Sequence, residues 1–178
     1  RKVWVLLLLF AQTALAQNKA LDSLQLQLSA AKTDESRLAV LKELVNTAFE
    51  TDLSKALEYA RMGVDLADRA GDKNAQPTFY EMKGRMHANL LQLDSATLFF
   101  DKAMAGYKAI DNKKGQATTW FKIGWVHKKK QEIDKAMDAD MTALSLMEEL
   151  KDQEGIANAL GRVSDDLTRQ GRLKEALD

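Results

Sequence analysis

From residue 17 onward, apolar side chains recur at helical spacing along almost the whole chain. Phe79, Met82, Met86 and Leu90 fall three or four residues apart, and they are followed by Leu93, Ala96, Phe99, Phe100, Ala103 and Tyr107. That period puts them on one face of a helix, so each stretch predicts an amphipathic helix and each consecutive pair an antiparallel hairpin. The pairs are separated by Gly71-Asp72-Lys73, Asp111-Asn112-Lys113-Lys114-Gly115 and Lys151-Asp152-Gln153-Glu154-Gly155, which read as helix stops. Pro77 falls in a first helical turn, where its missing N–H has no intrahelical partner to lose. Leu21, Leu24, Leu26 and Leu28 predict one further amphipathic helix within 17–33, a cap over the apolar face of the first pair.

Aligning the chain with itself at an offset of forty residues superimposes these pairs. Gly84 falls on Gly124 and Ser164, and Tyr80 falls on Trp120 and Leu160. Ala56, Ala96, Ala136 and Ala176 form a second column, and Gly63, Ala103 and Ala143 a third. Small residues at fixed depth let two helix backbones approach where a larger side chain would hold them apart. The units are 34–73, 74–113, 114–153 and 154–178, the last cut short as its second helix begins. Two positions depart from the pattern. Leu44 stands where later units have Gly or Ser, with Val45 the nearest equivalent after a one-residue shift. Asp140 replaces Phe100, which predicts an exposed turn or looser packing there.

The run Trp120-x2-Ile123-Gly124-x2-His127 with the later Ala136 and Ala143, and the same spacing in Tyr80, Gly84, His87, Ala96, Phe100 and Ala103, resembles the tetratricopeptide repeats in a longer, forty-residue form. The resemblance runs from about residue 34 to the end. It implies an all-α fold, a right-handed α-α superhelix of antiparallel helix pairs, whose first helices line a concave surface for peptides or partner helices. Carried over position by position, the groove comprises Thr78, Glu81, Arg85 and Asn89, then Thr118, Phe121, Trp125, Lys128 and Lys129, then Asn158, Asp165 and Arg169. Arg85, Asn89, Phe121, Trp125, Lys128 and Lys129 are the candidate partner-binding residues, because aromatic anchors beside cations suit an interaction hot spot and an acidic or carboxylate-ended peptide. Other readings stay open. Phe121 and Trp125 share a face and are equally explained by burial between repeats. Lys128-Lys129-Lys130 is explained by the negative end of a helix dipole.

Composition narrows the chemistry. The chain has 178 residues, 29% of them charged, with 26 basic side chains balancing 26 acidic ones. That balance lacks the basic excess that holds nucleic acid, so no nucleic-acid partner is expected. The lack of cysteine excludes disulfides, thiolate nucleophiles and thiolate metal sites. There is no phosphate loop, His-Glu-x-x-His pair, nucleophile elbow or calcium loop, so neither a cofactor nor catalysis is expected. His87 and His127 occupy equivalent positions, roughly 18–20 Å apart for stacked pairs at ~9 Å helix spacing, and read as packing residues rather than ligands of one ion. Asp134, Asp138 and Asp165-Asp166 read as solvated helix-face charges, and the methionines as core filler.

Arg1 and Lys2, the apolar run Val3 to Phe10 and the ending Ala14-Leu15-Ala16 follow the pattern of a secretory signal peptide spanning 1–16, so the chain is expected to be exported, periplasmic or extracytoplasmic. The apolar run is shorter than the ~20 residues that span a bilayer. Two functions follow as expectations. One is an exported, non-catalytic scaffold for protein or peptide partners. The other is the extracytoplasmic sensory region of a longer signalling protein, a histidine kinase or transcriptional regulator, resembling such regions from Bacteroidetes-type bacteria.

Overall fold

A computed structural model describes residues 19–172. The predicted signal peptide and the last residues, where the final helix was expected to begin, lie outside the described residues. Among the described residues eight helices follow one another: α1 (19–30), α2 (Asp34–Phe49), α3 (Leu53–Ala70), α4 (Ala75–Asn89), α5 (Leu93–Ala109), α6 (Lys113–Lys129), α7 (Ile133–Glu149) and α8 (Gln153–Arg169). No strand occurs among the described residues. The all-α expectation therefore holds. Two compact units are present, one ending at Met82 and the other starting at Lys83, a boundary that falls inside α4.

Side chains cap the starts of α2, α3, α4, α6 and α8, whereas α5 and α7 begin without a side-chain cap bond. Thr33 and Ser36 form a reciprocal capping box on α2. Asp52, Asn112 and Asp152 accept hydrogen bonds from the backbone N–H groups of Lys55, Gly115 and Gly155, at 3.0, 2.8 and 3.0 Å. Asp72 accepts from Asn74 and Ala75. Each such cap contributes about 1 kcal/mol by satisfying an N–H that has no intrahelical acceptor. At the other ends, Gly71, Leu91, Asp111, Gln131, Lys151 and Gly171 all have positive φ, one every twenty residues. The residue after each donates its N–H to a carbonyl five positions back, as in Gln92 to His87 and Glu132 to His127, both at 2.9 Å. These are Schellman stops, and four of the six left-handed positions are not glycine.

In the first unit α2 packs against α3 through Leu38, Leu41, Leu44, Val45 and Ala48 facing Ala56, Ala60, Val64 and Ala67, all buried. Gln25 Nε2 donates to the Tyr59 hydroxyl at 2.6 Å and ties α1 to α3. The Phe79 ring occupies the space a side chain at Gly63 would need. Leu44 and Val45 are both wholly enclosed. Forty residues before Gly84 the chain has Leu44, and forty before Phe100 it has Ala60, so large and small are exchanged between the two positions.

In the second unit α5, α6, α7 and α8 pack in chain order. Its core joins Ala88, Ala96, Phe100, Met104, Ile123, Val126 and Ala139, with Trp120 and Trp125 packed on its edge. A Cβ on Gly84 would lie 2.6 Å from the Phe100 ring, and one on Gly124 would lie 2.8 Å from a carboxylate oxygen of Asp140. The small columns are thus points of close approach, and Asp140 fills the space that Phe100 fills one unit earlier. The expected exposed turn at Asp140 is corrected: its side chain is wholly buried. Asp166, expected on a solvated face, is wholly buried as well. Met82, Met86, Met104 and Met147 are core residues, whereas Met62 and Met141 are exposed.

Candidate functional site

The helical period brings one residue per turn of α4, α6 and α8 onto a common concave wall within the second unit. Arg85 and Asn89 come from α4, Thr118, Phe121, Lys122 and Trp125 from α6, and Asn158 and Arg162 from α8, around a concavity of about 420 Å³. A second concavity of about 500 Å³ adjoins it, where Lys129, Gly161, Asp165 and Arg169 join the wall. Trp125, Asn158 and Arg162 line both. Five of the six candidate partner-binding residues therefore face this groove openly, and the sixth, Lys128, meets it only with an edge of a side chain that is 13% exposed.

Lys128 turns inward because carboxylates wait behind the wall. Its Nζ lies 2.8 Å from Asp166 Oδ1, 3.1 Å from Asp140 Oδ2 and 3.6 Å from Asp165 Oδ2. Arg162 completes the cluster: its Nε donates to Asp140 Oδ1 at 2.7 Å and its Nη2 to the carbonyl of Phe121 at 2.6 Å. Three helices, α6, α7 and α8, are thereby joined by charges of opposite sign around two wholly buried carboxylates, Asp140 and Asp166. Removing one member of such a set is severe, because the remaining charge is left buried without its partner. Burial pushes the Asp166 carboxyl above the usual carboxylate range, against the pull of Lys128, and the neighbouring Asp140 adds to the rise. Asp165 is held low by the hydrogen bond from Arg169 Nε at 2.9 Å.

On the open side, the Arg162 guanidinium stacks 5.0 Å from the Phe121 ring centroid, and Lys129 Nζ lies 5.0 Å from that of Trp125. Phe121 and Trp125 are both half-buried and line the groove, and Trp125 also packs on the edge of the core. Asn89 Nδ2 donates to the carbonyl of Arg85 at 2.9 Å. His87 and His127 serve the hairpins: their Nδ1 atoms lie 2.6 Å from Gln92 Oε1 and Glu132 Oε2, respectively. Among the described residues no cluster of metal-binding side chains is present, and no helix is long and apolar enough to cross a membrane.

Asp140, Asp166 and Arg162 were absent from the candidates. A signal for them exists in the columns. Asp140 replaces Phe100, Asp166 replaces Val126 and Met86, and Lys128 replaces Ala88. Charges of both signs enter buried columns together, which marks an internal ion cluster rather than a solvated face.

No family model matches the chain, and no curated protein matches it in sequence. Solved structures do. A Rap protein complexed with competence and sporulation factor superposes with a TM-score of 0.81 at 11% identity, covering 95% of this chain and 48% of that one. The nearly identical TPR-like repeats of a kinesin light chain from Podosopora anserina give 0.72 at 12% identity, covering 93% and 84%. A signal-transduction ATPase with a tetratricopeptide repeat sensor from Pyrococcus horikoshii gives 0.73 at 10% identity, covering 89% and 25%. The chain thus spans about half the length of the Rap protein and a quarter of the ATPase. Consecutive helix pairs, glycine-mediated crossings and these superpositions together identify the fold as the tetratricopeptide-repeat type.

Proposed function

We propose that this chain is a non-catalytic binding scaffold that takes an extended segment of a protein partner along the wall formed by α4, α6 and α8. The observation that carries the reading is the lining of the two adjoining concavities: six cationic side chains and three aromatic rings, with Asp165 as the one carboxylate among the described residues. Such a wall offers apolar contact and hydrogen-bond donors but no acid–base pair in a closed pocket, which suits capture rather than chemistry. An acidic partner is the complement of that charge. The likeness to a Rap protein solved with competence and sporulation factor is in keeping with a binding role.

Panning a randomised peptide library on the full chain tests this. Enriched peptides that lose at least tenfold in affinity for Trp125→Ala and for Phe121→Ala support the groove, and a library that yields no enriched peptide overturns it.

We propose further that the chain is exported, on the pattern of residues 1–16. Fusing a reporter that is active only outside the cytoplasm to the full chain, and to the chain from residue 17, tests export. Activity in the first fusion alone is the expected result. A sensory role within a longer signalling protein is the second reading, favoured by the superposition on a tetratricopeptide sensor.

A further inference from the structure

Behind the groove wall, three positions break with their counterparts in the preceding unit, and they do so together. Forty residues before Lys128, Asp140 and Asp166 the chain has Ala88, Phe100 and Val126, all buried. Phe100 fills the space beside Gly84 as Asp140 fills the space beside Gly124, so the fold closes the same crossing with an apolar ring one unit earlier. Buried ion sets add little stability over apolar side chains of similar volume, so packing alone does not account for the exchange. What the ions add is a hold on Arg162. Its Nε donates to Asp140 Oδ1 at 2.7 Å and its Nη2 to the carbonyl of Phe121 at 2.6 Å, while the guanidinium lies over the Phe121 ring. Asp140 is in turn held by Lys128, whose Nζ lies 3.1 Å from Oδ2. The contacts of Arg162 run back from α8 to α6 and α7, and they set the guanidinium in the wall that also carries Arg85, Asn89 and Trp125.

We propose that Asp140, which is buried behind the groove and lines neither concavity, is a positioning residue for partner recognition: it fixes the Arg162 guanidinium so that its remaining N–H groups meet an acidic side chain of the bound segment. This rests on the reading of the wall as a binding groove and adds the residue that sets its preference for acid. A guanidinium carries five N–H donors in one plane, and the bonds from Nε and Nη2 take up two of them, which leaves three. Held flat, that fork meets a carboxylate without the loss of side-chain freedom that a mobile arginine undergoes. The Arg162 side chain is 25% exposed and that of Asp140 not at all, so a partner reaches the arginine and not the carboxylate that holds it. Charge and positioning act with opposite signs here. Removing the negative charge of Asp140 would by itself favour an acidic segment, whereas freeing Arg162 weakens the contact.

The test uses the full chain and a peptide selected on it from a randomised library, together with the same peptide carrying Asn and Gln in place of its Asp and Glu. The wild-type chain should prefer the acidic form by about tenfold. Asp140→Asn, whose neutral amide holds a guanidinium less firmly, should weaken the acidic peptide by about fivefold and leave the amide form within about twofold, both measured well below the melting temperature. In an Arg162→Ala background the same substitution should no longer weaken the acidic peptide. Acidic-peptide affinity that is unchanged or tighter in Asp140→Asn, with binding still lost in Trp125→Ala, overturns the positioning role and leaves the groove standing. A loss of equal size for both peptides, or one that persists without Arg162, shows a structural effect and overturns the role as well. Enriched peptides without an acidic bias overturn the contact to Arg162. No enriched peptide on the wild-type chain overturns the groove reading and this proposal together. Where Asp140→Asn does not fold, Asp140→Phe, which matches the residue at Phe100, is put through the same cycle.

Discussion

The most consequential side chain is Asp140. It sits in the space left by Gly124, accepts from Arg162 and holds Lys128, all with no exposure of its own. Asp140→Ala should therefore destabilise the fold by about 3–5 kcal/mol in urea denaturation, the range for breaking a buried ion set. Gly124→Leu should cost about 1–3 kcal/mol or more by overpacking, with the Asp140 carboxylate as the group that must move. An unchanged midpoint in either variant would contradict the cluster. Asp166 adds a dependence on pH. Its folded pKa is raised, so the folded protein binds that proton more tightly than the unfolded chain does. The stabilisation from protonation is complete below the unfolded value, about 3.9, and is lost as pH rises through the folded one. Asp166→Asn lacks this loss, so its stability relative to wild type should improve from acid to neutral pH. A difference that stays constant across that window would contradict the raised value.

Elements were legible from the period of apolar residues and the small columns, because close helix approach demands Gly or Ala whatever else changes. The stops were legible only where Gly, Asp or Asn marked them. Leu91, Gln131 and Lys151 take the left-handed conformation without any residue that favours it, held by the same six-residue hydrogen bond as Gly71. Replacing Gln131 by glycine should raise stability by about 0.5–1 kcal/mol, the relief of left-handed strain less the added freedom of the unfolded chain. A lower melting temperature would show that the Gln131 side chain contributes more than its backbone costs. The ion cluster escaped the sequence reading for a related reason. Aspartates on a helix are ordinarily solvated, and only their place in columns that are apolar elsewhere distinguishes Asp140 and Asp166. Because that cluster joins α8 to α6 and α7, Asp140→Ala should speed amide exchange in α8 more than in α5.

At the scale of the whole molecule, balanced charge conceals an uneven distribution. The 26 basic and 26 acidic residues cancel over the chain, yet the groove wall carries a basic excess, since two of the carboxylates nearest to it are buried behind it. Peptides selected on this wall should bind more weakly as salt rises from about 0.05 to 0.5 M, because exposed charges are screened over that range. Of the groove residues taken from the repeat pattern, Thr78 and Glu81 line neither concavity and belong to the first unit, and Lys128 follows the pattern in position but turns inward to buried charge that the pattern does not contain. On the proposed reading, the wall of α4, α6 and α8 receives the partner. Mapping amide and indole shifts of the labelled chain on titration with a library-selected peptide tests this. Saturable changes should be largest at the Trp125 indole N–H and at the amides of residues 158–162. Changes largest on α2 and α3 instead, or none that saturate, would contradict it.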